Sequence, residues 1–158
     1  MPVHKITPFL WFDGQAEQAV ELYCRVFENA RVTDTMRCGD AGPYPKGTVL
    51  TVSFEIENQH FTALNGGPMY RFTPAISFLV ECRDQAEVDR YWDGLADGGK
   101  PSRCGWLEDR FGITWQICPS VLMSLLQSSE PGVAQRVTAA MMTMVKLDIA
   151  ELERAARG

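Results

Sequence analysis

Apolar and polar residues follow a pattern that predicts an α+β chain of strands and helices. The first apolar stretch, residues 6–12, is a predicted strand, and a helix is predicted at 14–27, where apolar residues recur every three to four positions. Asp13 is the predicted N-cap of this helix. In a strand at 48–56, alternation places Leu50, Val52, Phe54 and Ile56 on one face and Val49 on the other. Further strands are predicted at 31–37 and 60–65.

The pattern then restarts. A strand is predicted at 75–81, followed by a helix at 85–96 that Asp84 caps and Gly98-Gly99 ends. Two short strands between 102 and 108 and a strand at 111–118 complete this second part. Phe9-Leu10 and Gln15-Ala16-Glu17 are echoed by Phe78-Leu79 and Gln85-Ala86-Glu87 at an offset of 69 or 70 residues. The echo indicates an internal duplication of a βαβββ module. Neither half can bury its sheet alone, so we expect the two sheets to associate and enclose a cavity.

After Pro119 the chain is predicted to be helical. Helices are expected at 120–127, from Ser129 or Glu130 to about Met144, and at 148–156. We interpret the chain as one domain, with module one at 1–70, module two at 71–119 and a C-terminal extension at 120–158. The methionine-rich face of the middle helix is expected to pack against the rest of the protein or against a second subunit.

Composition and charge narrow the function classes. The 158 residues carry a net charge of −5, which argues against nucleic-acid binding and against binding to an anionic membrane surface. No apolar stretch is long enough for a membrane span, and the first residues lack a secretory apolar region. Five scattered cysteines without a CxxC pair are typical of a reduced protein, so we expect a cytoplasmic location.

The motif search leaves a short set of candidate residues. No GxGxxG, phosphate-binding loop or GxSxG motif is present, and two histidines are too few for a histidine-rich metal site. Asn65, followed by Gly66-Gly67, is either a ligand-binding amide or part of an ordinary turn. Cys104 is either a nucleophile or a small buried thiol, and Asp109 is either a base or fixes a turn with Arg110. His60 is either a solvent-facing turn residue or a base.

These segments resemble a known family. Residues 6–12, 61–68, 75–82 and the Cys104–Gly112 segment are similar to the PhnB-like branch of the vicinal oxygen chelate (glyoxalase/bleomycin-resistance) superfamily. Within this superfamily, the chain resembles the subgroup named 3-demethylubiquinone-9 3-methyltransferase. The resemblance extends over essentially the whole chain. It implies an α+β fold of two paired βαβββ modules and a homodimer.

Metal-using members of this superfamily take His and Glu ligands from inner strands. The matching positions here are Thr7, Asn65, Ala75 and Gln116. Neutral amides, one hydroxyl and a methyl group are poor ligands for a divalent ion, so the resemblance implies no metal at these positions. Because no motif for S-adenosylmethionine is present either, we expect no cofactor, and we expect the methyltransferase name not to describe the activity.

The leading hypothesis is a metal-free small-molecule-binding protein with an aromatic-lined cavity. Its predicted ligand-binding residues are Thr7, Phe9, Trp11, Asn65, Trp106, Trp115 and Gln116. One alternative is a metal-independent enzyme with Cys104 as nucleophile, Asn65 and Gln116 as carbonyl donors and Asp109 as base. Another is a dimeric interaction module that acts through its C-terminal helices without a ligand.

Overall fold

The structure, a computed structural model, describes residues 4–158. The chain forms two compact units, one that ends at Phe72 and one that spans Thr73–Gly158. Each unit contains a four-stranded sheet built from a βαβββ sequence of elements, and helices follow in the second unit. This confirms the predicted α+β fold of two βαβββ modules. The cavity between the two sheets stays a prediction.

The first unit is built on sheet A, whose strand order is β1-β4-β3-β2. Strand β1 pairs in parallel with β4, and the other neighbours are antiparallel. Tyr23 of the helix stacks on Phe54, and Phe54 stacks on Phe61, so this face of the sheet holds the core. The elements are β1 (Phe9–Phe12), α1 (Ala16–Val26), β2 (Ala30–Arg37), β3 (Val49–Ile56) and β4 (Gln59–Asn65).

We call the face of sheet A that points away from α1 the open face. Alternation along the paired strands assigns side chains to it, because successive residues of a strand point to opposite sides. Phe9 pairs with Thr62, and Trp11 pairs with Leu64, whereas Leu10 and Phe12 between them are buried. The open face comprises Phe9, Trp11, Thr51, Ser53, Glu55, His60, Thr62 and Leu64.

Because of a β-bulge, the Val49 side chain points to the opposite face from the one that simple alternation predicts. Met36 pairs with Thr51, but the next residue, Arg37, pairs with Val49, so Leu50 is the extra residue. One extra residue reverses the direction of the side chains beyond it. Val49 is therefore buried on the helix side, where it lines a cavity with Val52 and residues of α1, contrary to the simple alternation.

The second unit repeats this plan around sheet B, ordered β5-β8-β7-β6. Helix α2 begins and ends as predicted: the Asp84 side chain accepts a hydrogen bond from the Glu87 N–H at 2.9 Å, and Gly98 follows with a φ of 75°. Its first and last strands are shorter than predicted, and the two-residue strand at Lys100–Pro101 lies before the predicted range 102–108. The elements are β5 (Phe78–Cys82), α2 (Gln85–Ala96), β6 (Lys100–Pro101), β7 (Trp106–Glu108) and β8 (Thr114–Pro119).

The structural repeat has an offset of 70 residues, and the Phe-Leu echo is out of register with it. Leu10 of β1 is buried on the helix side, and its counterpart 70 residues later is Val80. Phe9 lies on the open face, whereas Phe78 packs against the buried Trp115 with ring centroids 5.5 Å apart. The echo at offset 69 therefore joins residues that point to opposite faces.

Three helices end the chain: α3 (Ser120–Leu126), α4 (Val133–Met141) and α5 (Ile149–Arg157). The predicted start of the middle helix at 129–130 is wrong, because Gly132 with a φ of 80° precedes the first helical residue. The three helices share a core made of Cys118, Leu122, Val133, Val137, Leu147 and Leu152. No helix formed by residues 4–158 combines the length and apolar character that crossing a membrane requires.

Candidate functional site

Aromatic side chains cluster on and beside the open face of sheet A. Phe9 is 62% exposed although it lies in the middle of an apolar segment. The Trp11 indole N–H donates to the Gly67 carbonyl at 2.8 Å, and the ring lies so close to Gly66 that an added Cβ there would be 2.3 Å from Cε2. Tyr70 meets Trp11 edge-on at 4.9 Å and is 60% exposed. We call Phe9, Trp11 and Tyr70 the aromatic platform.

Asn65 has a different position. Its Oδ1 accepts the Ala16 N–H at 2.9 Å, and its Nδ2 donates to Glu17 Oε1 and to the Val49 carbonyl, both at 3.0 Å. The amide is buried and acts as the cap of α1 from a strand 49 residues away. The predicted cap, Asp13, is wrong, because the helix N-cap is Gln15 and makes no side-chain cap bond. The ligand role of Asn65 stays a prediction, and its amide is already engaged in three hydrogen bonds.

The four positions that match metal ligands in the superfamily carry side chains that are poor donors for a divalent ion, and the absence of a metal stays a prediction. Thr7 and Ala75 precede the first strand of their modules, and the Gln116 amide donates to Ser77 Oγ at 2.8 Å. Gln116 pairs with Leu79, the counterpart of Phe9, so its equivalent in sheet A is Thr62 and not Asn65. Neither the methyl group nor the engaged amides fit a divalent ion. Among residues 4–158, no group of three His, Cys, Asp or Glu side chains is placed to hold one.

The two tryptophans predicted in module two differ in environment. Trp106 is half-buried and lies opposite Gln116 in the ladder, on the face of sheet B that points away from α2. Trp115 is buried in the core, packs against Phe78 and donates its indole N–H to Asp109 Oδ2 at 2.9 Å. Its ligand role stays a prediction, and its geometry is that of a core residue.

Asp109 anchors the turn that precedes β8. Its carboxylate is 2% exposed, and Oδ1 accepts the backbone N–H groups of Phe111 and Ile113 at 2.8 and 3.1 Å. Arg110 does not share this role, because its guanidinium binds the Asp97 carboxylate at 3.0 Å. A carboxylate with these contacts stabilises the turn, and its role as a base stays a prediction.

Cys104 lies in a turn, whereas the sequence predicted short strands between 102 and 108. Its φ of 59° and that of Gly105, 82°, turn both N–H groups toward the C-terminal segment. They donate to the carbonyls of Met144 and Val145 at 2.9 and 2.8 Å. The half-buried thiol is 3.7 Å from Met142 Sδ. The turn therefore attaches the segment between α4 and α5 to the rest of unit two, and the nucleophile role stays a prediction.

Comparison with known proteins identifies the family. The model of the family described as 3-demethylubiquinone-9 3-methyltransferase matches residues 4–118. The chain belongs to this PhnB-like family. The PhnB protein of Bacillus cereus is 31% identical, with 74% of this chain and 100% of that chain covered and a TM-score of 0.68. Protein PA1353 of Pseudomonas aeruginosa, at 21% identity, 74% and 98% coverage and a TM-score of 0.62, shares the fold. No curated protein matches the sequence.

In this PhnB-like chain, the family match stops at Cys118, just before α3. The C-terminal helices are thus additional to the region that defines the family. They are held to helix α2 by Lys146, whose ammonium group lies 3.2 Å from Asp89 and 3.0 Å from Asp93. Partial burial lowers the pKa of Lys146, but the hydrogen bonds to Asp93 and Asp89 outweigh it and raise the pKa overall. These contacts favour a fixed extension.

The thiols of this PhnB-like protein are expected to react with iodoacetamide at very different rates. Burial, with a smaller contribution from Glu87, raises the pKa of Cys82 to about 12, and burial also raises the pKa of Cys118. Since the thiolate is the reactive form, both should stay unmodified in the folded protein at neutral pH. Cys104 should react no faster than a free model thiol, as peptide mass spectrometry can measure. A much faster Cys104 would support the enzyme hypothesis.

Proposed function

We propose that this PhnB-like protein binds a small aromatic or apolar molecule without a metal ion or cofactor, with the aromatic platform as the contact surface. The observation that carries the proposal is the exposure of Phe9 on a rigid strand beside the fixed Trp11–Tyr70 pair. Ligand sites combine apolar and aromatic walls with a few polar groups. The hydroxyl of Thr62, a buried residue that pairs with Phe9, is the further contact proposed in unit one, and the ligand roles of Trp106 and Gln116 in unit two stay predictions.

The preformed position of Trp11 supports this proposal. Its indole N–H is already bonded to Gly67, and its ring already lies on Gly66, so little side-chain freedom is lost when a ligand packs on it. We propose no methyl transfer, although the family description names it, because the sequence has no glycine-rich loop after a strand to bind S-adenosylmethionine. The enzyme and interaction-module hypotheses stay predictions.

The proposal extends to assembly and location. Met142 and Val145 present exposed apolar side chains near the C-terminal helices, which favours a homodimer. All five cysteines are free thiols, which favours the cytoplasm. We propose no nucleic acid or membrane partner. Light scattering coupled to size-exclusion chromatography tests the dimer; a monomer mass across all concentrations would contradict it.

Binding is expected to depend on the platform. Naphthol, indole and anilinonaphthalene sulfonate are titrated while tryptophan fluorescence is recorded. We expect saturable binding of at least one compound, and a loss of about tenfold or more in affinity for Trp11→Leu and Phe9→Ser, because stacking on an aromatic ring contributes roughly 0.5–1.5 kcal/mol beyond its buried area.

The matched control is Trp92→Phe, which removes a buried tryptophan of α2 and should leave affinity unchanged. Phe9 is exposed, so Phe9→Ser should fold normally even if Trp11→Leu does not. The proposal would be overturned if the wild type showed no saturable binding. It would also be overturned if both platform variants bound with the affinity of the wild type.

Metal independence has its own test. Elemental mass spectrometry of purified, untagged protein is expected to find no zinc, iron, nickel or manganese near one equivalent per chain, because the matching positions lack suitable donors. Native mass spectrometry of the same sample would reveal a co-purified small molecule. A stoichiometric metal that survives dialysis would contradict this part of the proposal.

A further inference from the structure

A histidine beside a carboxylate lies on the open face of sheet A and is not itself part of the aromatic platform. Glu55 and His60 face each other across β3 and β4, and His60 Nε2 is 2.9 Å from Glu55 Oε1. The other carboxylate oxygen, Oε2, accepts from Arg31 Nε at 3.1 Å and lies 3.0 Å from Nη2. Each oxygen of Glu55 therefore has a partner of its own. We call Arg31, Glu55 and His60 the imidazole cluster.

The geometry defines which nitrogen of His60 carries the proton in the neutral ring. An ionised carboxylate oxygen 2.9 Å away favours a proton on the nearer nitrogen, so the neutral ring carries its proton on Nε2 and leaves Nδ1 as an acceptor. Among residues 4–158, Nδ1 has no hydrogen-bond partner. The His60 side chain is 35% exposed, whereas that of Glu55 is 16% exposed, so the imidazole is more accessible to solvent than the carboxylate beside it. The His4 ring packs against His60 at 4.3 Å and further limits its rotation.

The imidazole cluster lies close to the platform within the same sheet. Phe9 pairs with Thr62, and His60 is two residues before Thr62 on the same face of β4. Two strand residues correspond to about 7 Å. This is roughly the length of a fused two-ring aromatic molecule. The hydroxyl groups of Ser53 and Thr62, 3.4 Å apart, lie on the same face between the two.

We propose that His60 recognises a hydroxyl group of the ligand: an aromatic ring lies on Phe9, and its phenolic O–H donates to His60 Nδ1. The inference rests on the proposed function and names the ligand class, hydroxylated aromatic compounds of one or two rings. Arg31 already satisfies part of the Glu55 carboxylate, and Glu55 in turn holds the imidazole in the accepting tautomer. Glu55 is thus a positioning residue, and His60 is the contact.

The test compares two compounds that differ in one donor. Naphthol and methoxynaphthalene have the same ring system, but only naphthol can donate a hydrogen bond. Wild-type protein is expected to bind naphthol about tenfold more tightly, as measured by tryptophan quenching. His60→Ala should bind the two compounds with about equal affinity, because its affinity for naphthol falls while its affinity for methoxynaphthalene stays unchanged. Glu55→Gln should lower the preference partly, because it leaves the imidazole less well oriented.

Gln59→Ala is the matched control, since Gln59 precedes His60 on β4 and points to the other side of the sheet. This variant should prefer naphthol over methoxynaphthalene as strongly as the wild type does. A tenfold preference that persists in His60→Ala would overturn the inference. So would equal affinity of the wild type for both compounds, and the proposed function would stand in that case. If neither compound binds the wild type, the proposed function fails for this ligand class together with the inference.

Discussion

Replacement of Asp109 by alanine is expected to lower the free energy of unfolding by about 4 kcal/mol. The buried carboxylate accepts hydrogen bonds from two backbone N–H groups of its turn and from the Trp115 indole. Alanine removes the acceptor that these donors share, and loss of the partner of a buried donor costs roughly 1–3 kcal/mol. Urea unfolding followed by circular dichroism measures the change.

Two variants make this result specific. Asp97→Ala removes an exposed carboxylate from the same part of unit two, where it pairs with Arg110, so the expected change is below about 0.5 kcal/mol. Asp109→Asn keeps Oδ1 for the turn but sets an N–H group against the Trp115 N–H, and should lose about half as much stability as alanine. A change below about 1 kcal/mol in Asp109→Ala would show that the carboxylate does not hold the turn.

Asn65→Ala is expected to lower the free energy of unfolding by about 3 kcal/mol. The substitution removes the cap of α1, and it leaves the Val49 carbonyl and the Ala16 N–H without this partner inside unit one. Because the helix packs on the core of sheet A, its first turn cannot unwind into water without exposing Ala16, which is fully buried. The measurement is again urea unfolding.

Asp13→Ala provides the comparison, because sequence reasoning placed the cap there and the structure does not. It should change stability by less than about 0.5 kcal/mol. Asn65→Asp keeps the acceptor for Ala16 but brings a second carboxylate next to Glu17, and should be as destabilising as alanine. Equal losses in Asp13→Ala and Asn65→Ala would contradict the assignment of the cap.

Elements with strong local signals were predicted well from the sequence. Helix α2 was predicted with both ends because Asp84 is a side-chain cap and a glycine pair follows the last turn. The hairpin of β3 and β4 was predicted because alternation and a short polar turn act locally; Glu57 and Asn58 adopt the positive φ values that such a turn needs. Each of these signals depends on residues within a few positions of each other.

Strand starts were predicted less well. Apolar residues at Ile6, Ala75 and Phe111 extend the pattern of the neighbouring strand, but β1, β5 and β8 begin at Phe9, Phe78 and Thr114. Hydrophobic residues can pack beside a sheet without joining its ladder, and periodicity does not distinguish the two. The turn before β8 is stabilised instead by the Asp109 carboxylate, whose partners follow it directly in sequence.

In the candidate site, too, residue types were predicted from the sequence, whereas their burial and contacts were not. Phe9 and Trp115 are both strand aromatics predicted to contact a ligand, yet Phe9 is exposed and Trp115 lies in the core. His60 was assigned either a turn or a base role, and the pairing of β3 with β4 places it against Glu55. A search for carboxylates that alternate on the facing strand of the predicted hairpin would have found this pair.

By itself, the sequence determined the class of elements, the duplicated βαβββ plan and the family, because periodicity, caps and motifs are local properties of the chain. Only the tertiary structure decided which face each side chain points to and which distant groups meet it. Asn65 caps a helix that begins 49 residues earlier, and the Leu50 bulge turns Val49 into the core. The physical reason is that a strand has a side-chain period of two, so a shift of one residue in pairing reverses every contact.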